Sequence, residues 1–70
     1  MMQVNDSEKK KIFDEGFLTR SLVENEVVMK KCLLYSEMAS DPAVKAFFKE
    51  QAKGLDDVMT YMKNSLASLQ

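Results

Sequence analysis

The amino-acid sequence predicts an all-α protein: an antiparallel two-helix hairpin with a short N-terminal helical arm, dimerising to a four-helix bundle. Three observations support this prediction. The 70 residues include only two glycines and one proline, and good helix formers such as Ala, Leu, Lys, Glu and Met are plentiful. No segment alternates apolar and polar residues with β-branched enrichment, so no strand is expected. The single proline, Pro42, follows Asp41 near the middle of the chain, which is the natural order of a helix N-cap and first helical position.

Residues 1–16 are expected to form an arm that is either a short helix, capped by Asp6 or Ser7, or partly disordered. Gly16 is expected to break or kink the chain there. The helical hairpin then occupies residues 17–70, with helices at about 17–39 and 42–67. The three lysines at positions 9–11 of the arm are interpreted as a solvated segment, with an anionic partner as the alternative.

The first helix carries apolar residues on nearly all sides; Val27 and Leu34, for example, lie opposite Met29. A helix of this kind is buried on several sides, and one neighbouring helix cannot cover it. We therefore expect a homodimer in which helix 1 is central and helix 2 more peripheral. The residues predicted to form the oligomer interface are Leu22, Val27, Val28, Met29, Cys32, Leu33, Leu34 and Tyr35.

Residues 39–42 read as a tight corner rather than a linker between domains, because helix connections of a few residues join antiparallel neighbours. Either Asp41 or Ser40 caps the helix that follows. Its apolar residues recur at spacings of three and four, a heptad-like seam through Gln51 and Leu69 with Ala52 and Met59 on one flank. The residues predicted to form the hairpin core are Val44, Phe47, Phe48, Leu55, Val58 and Met62.

The opposite side of the second helix carries Lys45, Lys49 and Lys53. We interpret this stripe as a solvated face, with docking of an acidic partner as the alternative. The methionines of both helices read as core residues, and a soft groove for a partner peptide is the alternative.

Composition excludes several classes of function. Histidine is absent, which removes the usual general base near neutral pH and the commonest zinc ligand. Cys32 is the only cysteine, so no disulfide forms within one chain, and it reads as a buried thiol of a reducing compartment. Ten basic residues balance eleven acidic ones, which argues against nucleic acid as the main partner. Polar Glu24 and Asn25 are interpreted as register-setting or exposed residues, with a carboxylate metal site at Glu24 as a weaker alternative.

No apolar run is long enough to span a membrane, and the first residues lack the pattern of a secretory signal. We therefore expect a cytoplasmic protein, with a spore-associated location as the alternative suggested below. No catalytic motif is present. The expectation is accordingly no enzyme activity, no cofactor and no bound metal.

The stretch FLTRSLVENEVVMKKCLLYSEMASDPAVKAFFKEQAKGLDDVMTYMKN resembles the spore coat protein F family of ferritin-like helical hairpins. The resemblance covers about two thirds of the chain. It depends on a leucine-rich entry at Leu18 and Leu22, a long helix reaching Tyr35, the polar Asp41-Pro42 corner, and the helix that ends near YM. The sequence departs from the family at its C-terminus, which lacks a Gly-Trp-Tyr ending. The resemblance implies a helical-bundle protein of spore-forming bacteria, structural rather than enzymatic and without the iron ligands of ferritins.

The segment EQAKGLDDVMTYMK is similar to the signature helix of small two-helix sporulation phosphatases that act on response regulators. Leu55-Asp56 match that signature and a tyrosine, Tyr61, is present one residue early, whereas Ala52-Lys53 stand where the family has Ser-Gln. We therefore expect a small non-enzymatic bundle with a structural or protein-interaction role related to the spore coat. A two-helix regulatory phosphatase acting on a sporulation response regulator is the alternative.

Overall fold

The computed structural model describes residues 5–69, and within this range it contains two α-helices and no strand. Helix α1 spans Asp6–Met38 and helix α2 spans Pro42–Leu69. Residues from the C-terminal end of α1 lie beside the start of α2, and residues from the first half of α1 lie beside the end of α2. The two helices are therefore antiparallel, and the prediction of an all-α two-helix hairpin is confirmed.

Helix α1 begins well before the position expected from the sequence. Its N-cap is Asn5, whose side-chain Oδ1 accepts a hydrogen bond from the backbone N–H of Glu8 at 2.8 Å. Asp6 and Ser7, the predicted caps, lie inside the first turn instead. The acidic residues of that turn favour the helix start, because the N-terminus of a helix carries a partial positive charge.

The expected break at Gly16 does not occur, because α1 continues through this residue without interruption. Residues 5–16 therefore belong to the same helix as residues 17–38, and position 16 is no boundary between an arm and a hairpin. A glycine costs only about 1 kcal/mol against alanine in a helix interior, and good helix formers surround it on both sides. Residues 1–4 of the predicted arm lie outside the described residues.

The closed end of the hairpin is a corner of three residues, 39–41, at the predicted place. The backbone N–H of Ala39 donates to the carbonyl of Tyr35 at 2.9 Å and closes the last turn of α1. The ammonium group of Lys45 reaches back from α2 and donates to the carbonyl oxygens of Ser36 and Glu37, both at 3.3 Å. Two otherwise unsatisfied carbonyls of the helix end thereby gain a charged donor.

Helix α2 begins as the Asp41-Pro42 order predicts. Oδ1 of Asp41 accepts hydrogen bonds from the backbone N–H groups of Ala43 at 2.7 Å and Val44 at 3.3 Å. Asp41, rather than Ser40, is therefore the N-cap. Pro42 occupies the first helical position, where the missing N–H has no partner to lose. The helix ends at Leu69, two residues beyond the expected end.

Each helix turns one heptad-spaced stripe toward the other, as in an antiparallel coiled coil. On α1 the buried and half-buried residues of this stripe are Glu15, Leu18, Leu22, Asn25, Met29, Cys32 and Ser36. On α2 they are Lys45, Phe48, Ala52, Leu55, Met59, Met62, Leu66 and Leu69. These two stripes, which we call the seam, form the core of the hairpin.

The seam on α2 shares Phe48, Leu55 and Met62 with the predicted one. At the positions between them it lies one residue further along the chain. Ala52 and Met59, expected on the flank, are the buried residues of α2, whereas Val44 and Val58 are exposed. Two neighbouring heptad stripes of α2 are both rich in apolar residues, so apolarity alone does not choose between them. The small side chain of Ala52 permits a closer approach of the helices, and this favours the observed stripe.

The hairpin measures 59 × 19 × 13 Å. Its smallest extent is close to the 10–12 Å diameter of a helix with its side chains, so the hairpin is one helix layer thick. Among the described residues only Cys32, Ala52 and Met59 form the buried apolar core, and Ser36 is buried beside them. Fourteen large apolar side chains, by contrast, remain exposed. Most of the apolar surface of the two helices therefore faces outward.

Candidate interaction surface

One broad side of the hairpin carries polar and charged side chains, together with the exposed Val23 and Leu33 of α1. Thr19 and Glu26 of α1 lie across a shallow groove from Asp56 and Lys63 of α2, with Met59 at its base. The groove is open to solvent and its rim carries charges of both signs. We call this surface the polar side.

The opposite broad side is lined by aromatic rings at both ends. Near the corner, the ring of Tyr35 lies edge-on to that of Phe48 with centroids 5.3 Å apart, and Phe47 packs on Phe48 at 5.2 Å. Near the open end, Phe17 of α1 lies beside Tyr61 of α2. Aromatic side chains from both helices therefore border this side at each of its two ends.

Heptad spacing places two valines between these aromatic ends and a third, Val44, beside the corner. Val28 lies one heptad before Tyr35 on α1, and Val58 and Val44 lie one and three heptads before Ser65, which borders the same groove as Phe17. All of these large side chains are exposed. We call the set the apolar face; its members are Phe17, Val28, Tyr35, Val44, Phe47, Val58 and Tyr61.

Charge is sparse on the apolar face. The α2 positions that share it between residues 44 and 68 read Val, Phe, Gln, Gly, Val, Tyr, Ser and Ser, without an ionisable carboxylate or amine. On α1 the face includes Asp14, Glu24 and Lys31. The outer edge of α2 beyond the face is acidic, with Glu50 and Asp57. An apolar surface with a charged rim is typical of a protein–protein contact.

The structure divides the predicted interface residues between two environments. Leu22 and Met29 are half-buried and Cys32 is buried, all in the seam, where the only element that covers them is α2 of the same chain. These three residues therefore belong to the core of the hairpin itself. The remaining five are 44–50% exposed: Val27, Val28, Leu33, Leu34 and Tyr35.

These five exposed residues do not share one surface. Val28 and Tyr35 lie in the apolar face, and Leu33 lies one heptad from Glu26 on the polar side. Val27 and Leu34 lie on the back of α1, on the side away from the seam. This agrees with the sequence analysis, which placed them opposite Met29, a residue of the seam. We call Val27, Leu34 and the exposed Phe13, which is spaced two heptads before Val27, the α1 ridge.

The predicted core residues are divided in a similar way. Phe48, Leu55 and Met62 lie in the seam and are half-buried. Val44, Phe47 and Val58 lie outside it, in the apolar face. Sequence reasoning had placed the buried Ala52 and Met59 only on the flank and had not singled out Ser36. The sequence does contain the pattern of the observed seam. The predicted stripe through Gln51 is no more regular in its heptad spacing than the observed one, which consists of positions 45, 48, 52, 55, 59, 62, 66 and 69.

The polar groups named in the sequence analysis make local contacts. Glu24 accepts a hydrogen bond from Nε of Arg20 at 3.3 Å, and both side chains are well exposed. The side-chain amide of Asn25 donates to the carbonyl of Ser21 at 2.7 Å, within its own helix. Cys32 is a free, buried thiol. In residues 5–69 no group of three or more His, Cys, Asp or Glu side chains is arranged to hold a metal ion.

No protein-family model matches the chain, and no curated protein or solved structure matches it. Within the described part of the chain, neither helix has the length and apolar character needed to cross a membrane. The exposed apolar face is the feature of the molecule from which we argue a function.

Proposed function

We propose that this protein is a small non-enzymatic helical module that acts by association, with two chains forming a homodimeric four-helix bundle. One observation carries the proposal: among residues 5–69, three apolar residues are buried, whereas fourteen large apolar side chains are exposed. Domains of this size have little stability to spare, and soluble monomers seldom expose apolar patches that run the length of the molecule. A second copy of the chain covers such a surface without any additional segment of the protein.

The energetic argument favours coverage of the apolar face. Full burial of a large apolar side chain stabilises a protein by about 1.5–3 kcal/mol. The seven side chains of the face are 42–71% exposed, so each has roughly 1 kcal/mol still to contribute when a partner covers it. Such a gain is comparable with the whole stability of a small domain. Folding and association are therefore expected to be coupled.

The resemblance to the spore coat protein F family supports a structural role for the dimer within a larger assembly. The α1 ridge is consistent with this role. Phe13, Val27 and Leu34 lie on the back of α1, outside a bundle built on the apolar face, where they would meet other proteins of the assembly. A structural or adaptor function related to the spore coat is the form of the proposal that the resemblance favours.

The alternative is a two-helix phosphatase that acts on a sporulation response regulator. Asp56, which matches the signature of those enzymes, is exposed on the polar side beside Glu26 and Lys63, and this favours the alternative. The position that holds Ser in the signature is Ala52, which is buried in the seam and has no side-chain group to offer. We therefore place this function below the associative one.

The proposal is tested by thermal unfolding, followed by circular dichroism, over a wide range of chain concentrations. If folding is coupled to dimerisation, the unfolding midpoint rises with concentration by mass action. A midpoint that does not change with concentration, in a protein that melts cooperatively, would contradict the proposal.

A further inference from the structure

We propose a particular pairing for the two chains, which rests on the association proposed above: the apolar faces meet so that α1 of each chain packs antiparallel against α2 of the other. The twofold axis of this dimer runs parallel to the helices. Stacking two hairpins face to face allows only two symmetric arrangements, and in the other the axis runs across the helices and pairs α1 with α1 and α2 with α2. Side-chain size and charge distinguish them.

A twofold axis parallel to the helices leaves the height of every residue unchanged. Contacts inside one hairpin therefore predict which residues meet across the dimer. At the closed end the side chain of Lys45 reaches the carbonyls of Ser36 and Glu37, and at the open end Phe17 and Ser65 line the same groove. We therefore take Lys45 and Glu37, and likewise Ser65 and Phe17, to lie at about the same height. Between these two points the helices run antiparallel, so a step of one residue toward the N-terminus of α1 corresponds in height to a step of one residue toward the C-terminus of α2.

The heights bring large side chains of one chain opposite small ones of the other. Val28 meets the partner's Gly54, Ser21 meets the partner's Tyr61, and Phe17 meets the partner's Ser65. Close packing requires this alternation of large and small residues across facing positions. Gly54 leaves open space around it in the hairpin, with no atom within 4 Å of the point where a Cβ would lie. Gly54, which costs α2 about 1 kcal/mol against alanine, thereby gains a role as the socket for Val28.

Next to the corner, the same heights place Tyr35 opposite the partner's Phe47. Both rings are about half exposed in the single hairpin, and each already belongs to the aromatic cluster around Phe48. Aromatic pairs contribute about 0.5–1.5 kcal/mol beyond the area they bury. The cluster thus continues across the twofold axis and closes one end of the interface.

Charge at the rim favours the same pairing. Lys31 of α1 lies at the height of the partner's Glu50, so two opposite-charge pairs form by symmetry. In the alternative arrangement the acidic edges of the two α2 helices, each with Glu50 and Asp57, would face one another. The same heights place Glu24, one heptad before Lys31, opposite the partner's Asp57, one heptad after Glu50. Arg20 of the same helix pairs with Glu24 and lessens this like-charge contact.

A second copy of this chain is the occupant that fits these observations. The face meets its own rotated image with a large residue opposite a small one at three heights, with the rings of Tyr35 and Phe47 together next to the corner, and with Lys31 opposite Glu50. A second copy is also present whenever the chain is made. This matters because the core of the hairpin is small, so folding is expected to depend on a partner that covers the apolar face. The α1 ridge has no comparable self-complementarity, because its Phe13, Val27 and Leu34 are all large.

The test is a charge exchange. Lys31→Glu and Glu50→Lys are made separately, and the dimer dissociation constant is measured by sedimentation equilibrium at low salt, where exposed pairs are least screened. Each single variant puts two like-charge pairs at the interface and is expected to weaken dimerisation about tenfold, from two pairs at roughly 0.5–1 kcal/mol each. An equimolar mixture of the two variants is expected to form mainly heterodimers, and the double variant is expected to regain wild-type affinity. Lys63→Glu, on the polar side of α2, makes the same charge change as a control and is expected to leave dimerisation unchanged.

The outcomes separate the pairing from the association itself. If all variants dimerise equally and the mixture shows no preference for heterodimers, the proposed pairing is wrong while association stands. If the wild-type protein is a folded monomer, the proposed function fails as well.

A matched pair of glycine variants gives an independent readout. Gly54→Leu fills the socket for Val28 and is expected to weaken dimerisation about tenfold through overpacking. Gly16→Leu makes the same change inside α1, outside the apolar face, where open space also surrounds the glycine, and it is expected to dimerise as the wild type does. Equal dimerisation by the two variants would overturn the pairing.

Discussion

The ammonium group of Lys45 in α2 lies 3.3 Å from the backbone carbonyl oxygen of Ser36 in α1. The same nitrogen is 3.3 Å from the carbonyl of Glu37, so one side chain of the second helix caps the end of the first. The last turn of α1 holds no basic residue of its own, although a cation at a helix C-terminus is stabilising. This contact also fixes the relative height of the two helices at the closed end.

Replacing Lys45 by Met is expected to lower the free energy of unfolding by about 1 kcal/mol, because a charged donor to two helix-end carbonyls is lost while most of the apolar stem is kept. Chemical denaturation at fixed chain concentration measures the change. Lys49→Met is the control, since Lys49 is exposed one turn further along α2. Equal stability of the two variants would show that the carbonyl contacts of Lys45 contribute nothing.

Enlarging Ala52 tests the observed seam. Ala52 is 4% exposed against α1, so Ala52→Leu is expected to force the helices apart and to destabilise the protein by about 1–3 kcal/mol. Ala46→Leu, on an exposed part of the same helix, is expected to change stability by less than about 0.5 kcal/mol. If the predicted stripe through Gln51 were the true seam, the two substitutions would have similar effects.

Replacing Gly16 by Ala is expected to stabilise the protein by about 0.5–1 kcal/mol. The reason is that α1 passes through this position with helical geometry and free space for a Cβ, so only the entropic disadvantage of glycine is removed. Thermal unfolding measures the gain. A loss of stability would instead indicate that a break at Gly16, as first expected from the sequence, exists in solution.

The corner was predictable because its chemistry is local. Asp41 followed by Pro42 encodes a helix start in two adjacent residues, and the observed cap bonds arise from that pair. The start of α1 was harder to predict, because Gly16 was weighed as a breaker by itself. The cost of about 1 kcal/mol for Gly16 is small compared with the stabilisation from the helix-forming residues on both sides of it. The helix therefore extends upstream as far as Asn5, which caps its start.

The candidate surface could be predicted only in part. The excess of apolar residues on α1 was visible in the sequence and correctly indicated exposed apolar surface, as at Val27 and Leu34. Which of two adjacent apolar stripes of α2 meets α1 depends on side-chain size, which a pattern of apolar and polar residues does not record. The exposed Val44 and Val58 therefore exchanged places with the buried Ala52 and Met59.

The non-enzymatic proposal predicts that the protein does not accelerate phosphate release from phosphorylated response regulators. Radiolabelled phosphate transfer measures this directly, with Asp56→Ala as the matched variant and Asp57→Ala, its exposed neighbour on another side of α2, as the control. A rate that disappears in Asp56→Ala, persists in Asp57→Ala, and leaves the helical content unchanged would establish the alternative function.

The central claim is that this hairpin folds as a homodimer, and sedimentation equilibrium of the wild-type chain tests it most directly. Circular dichroism at the same concentrations reports whether the chains are helical. The account predicts a reversible monomer–dimer equilibrium in which helical content falls as the dimer dissociates, because burial of the apolar face stabilises the fold. A well-folded, cooperatively melting monomer at every concentration would contradict it.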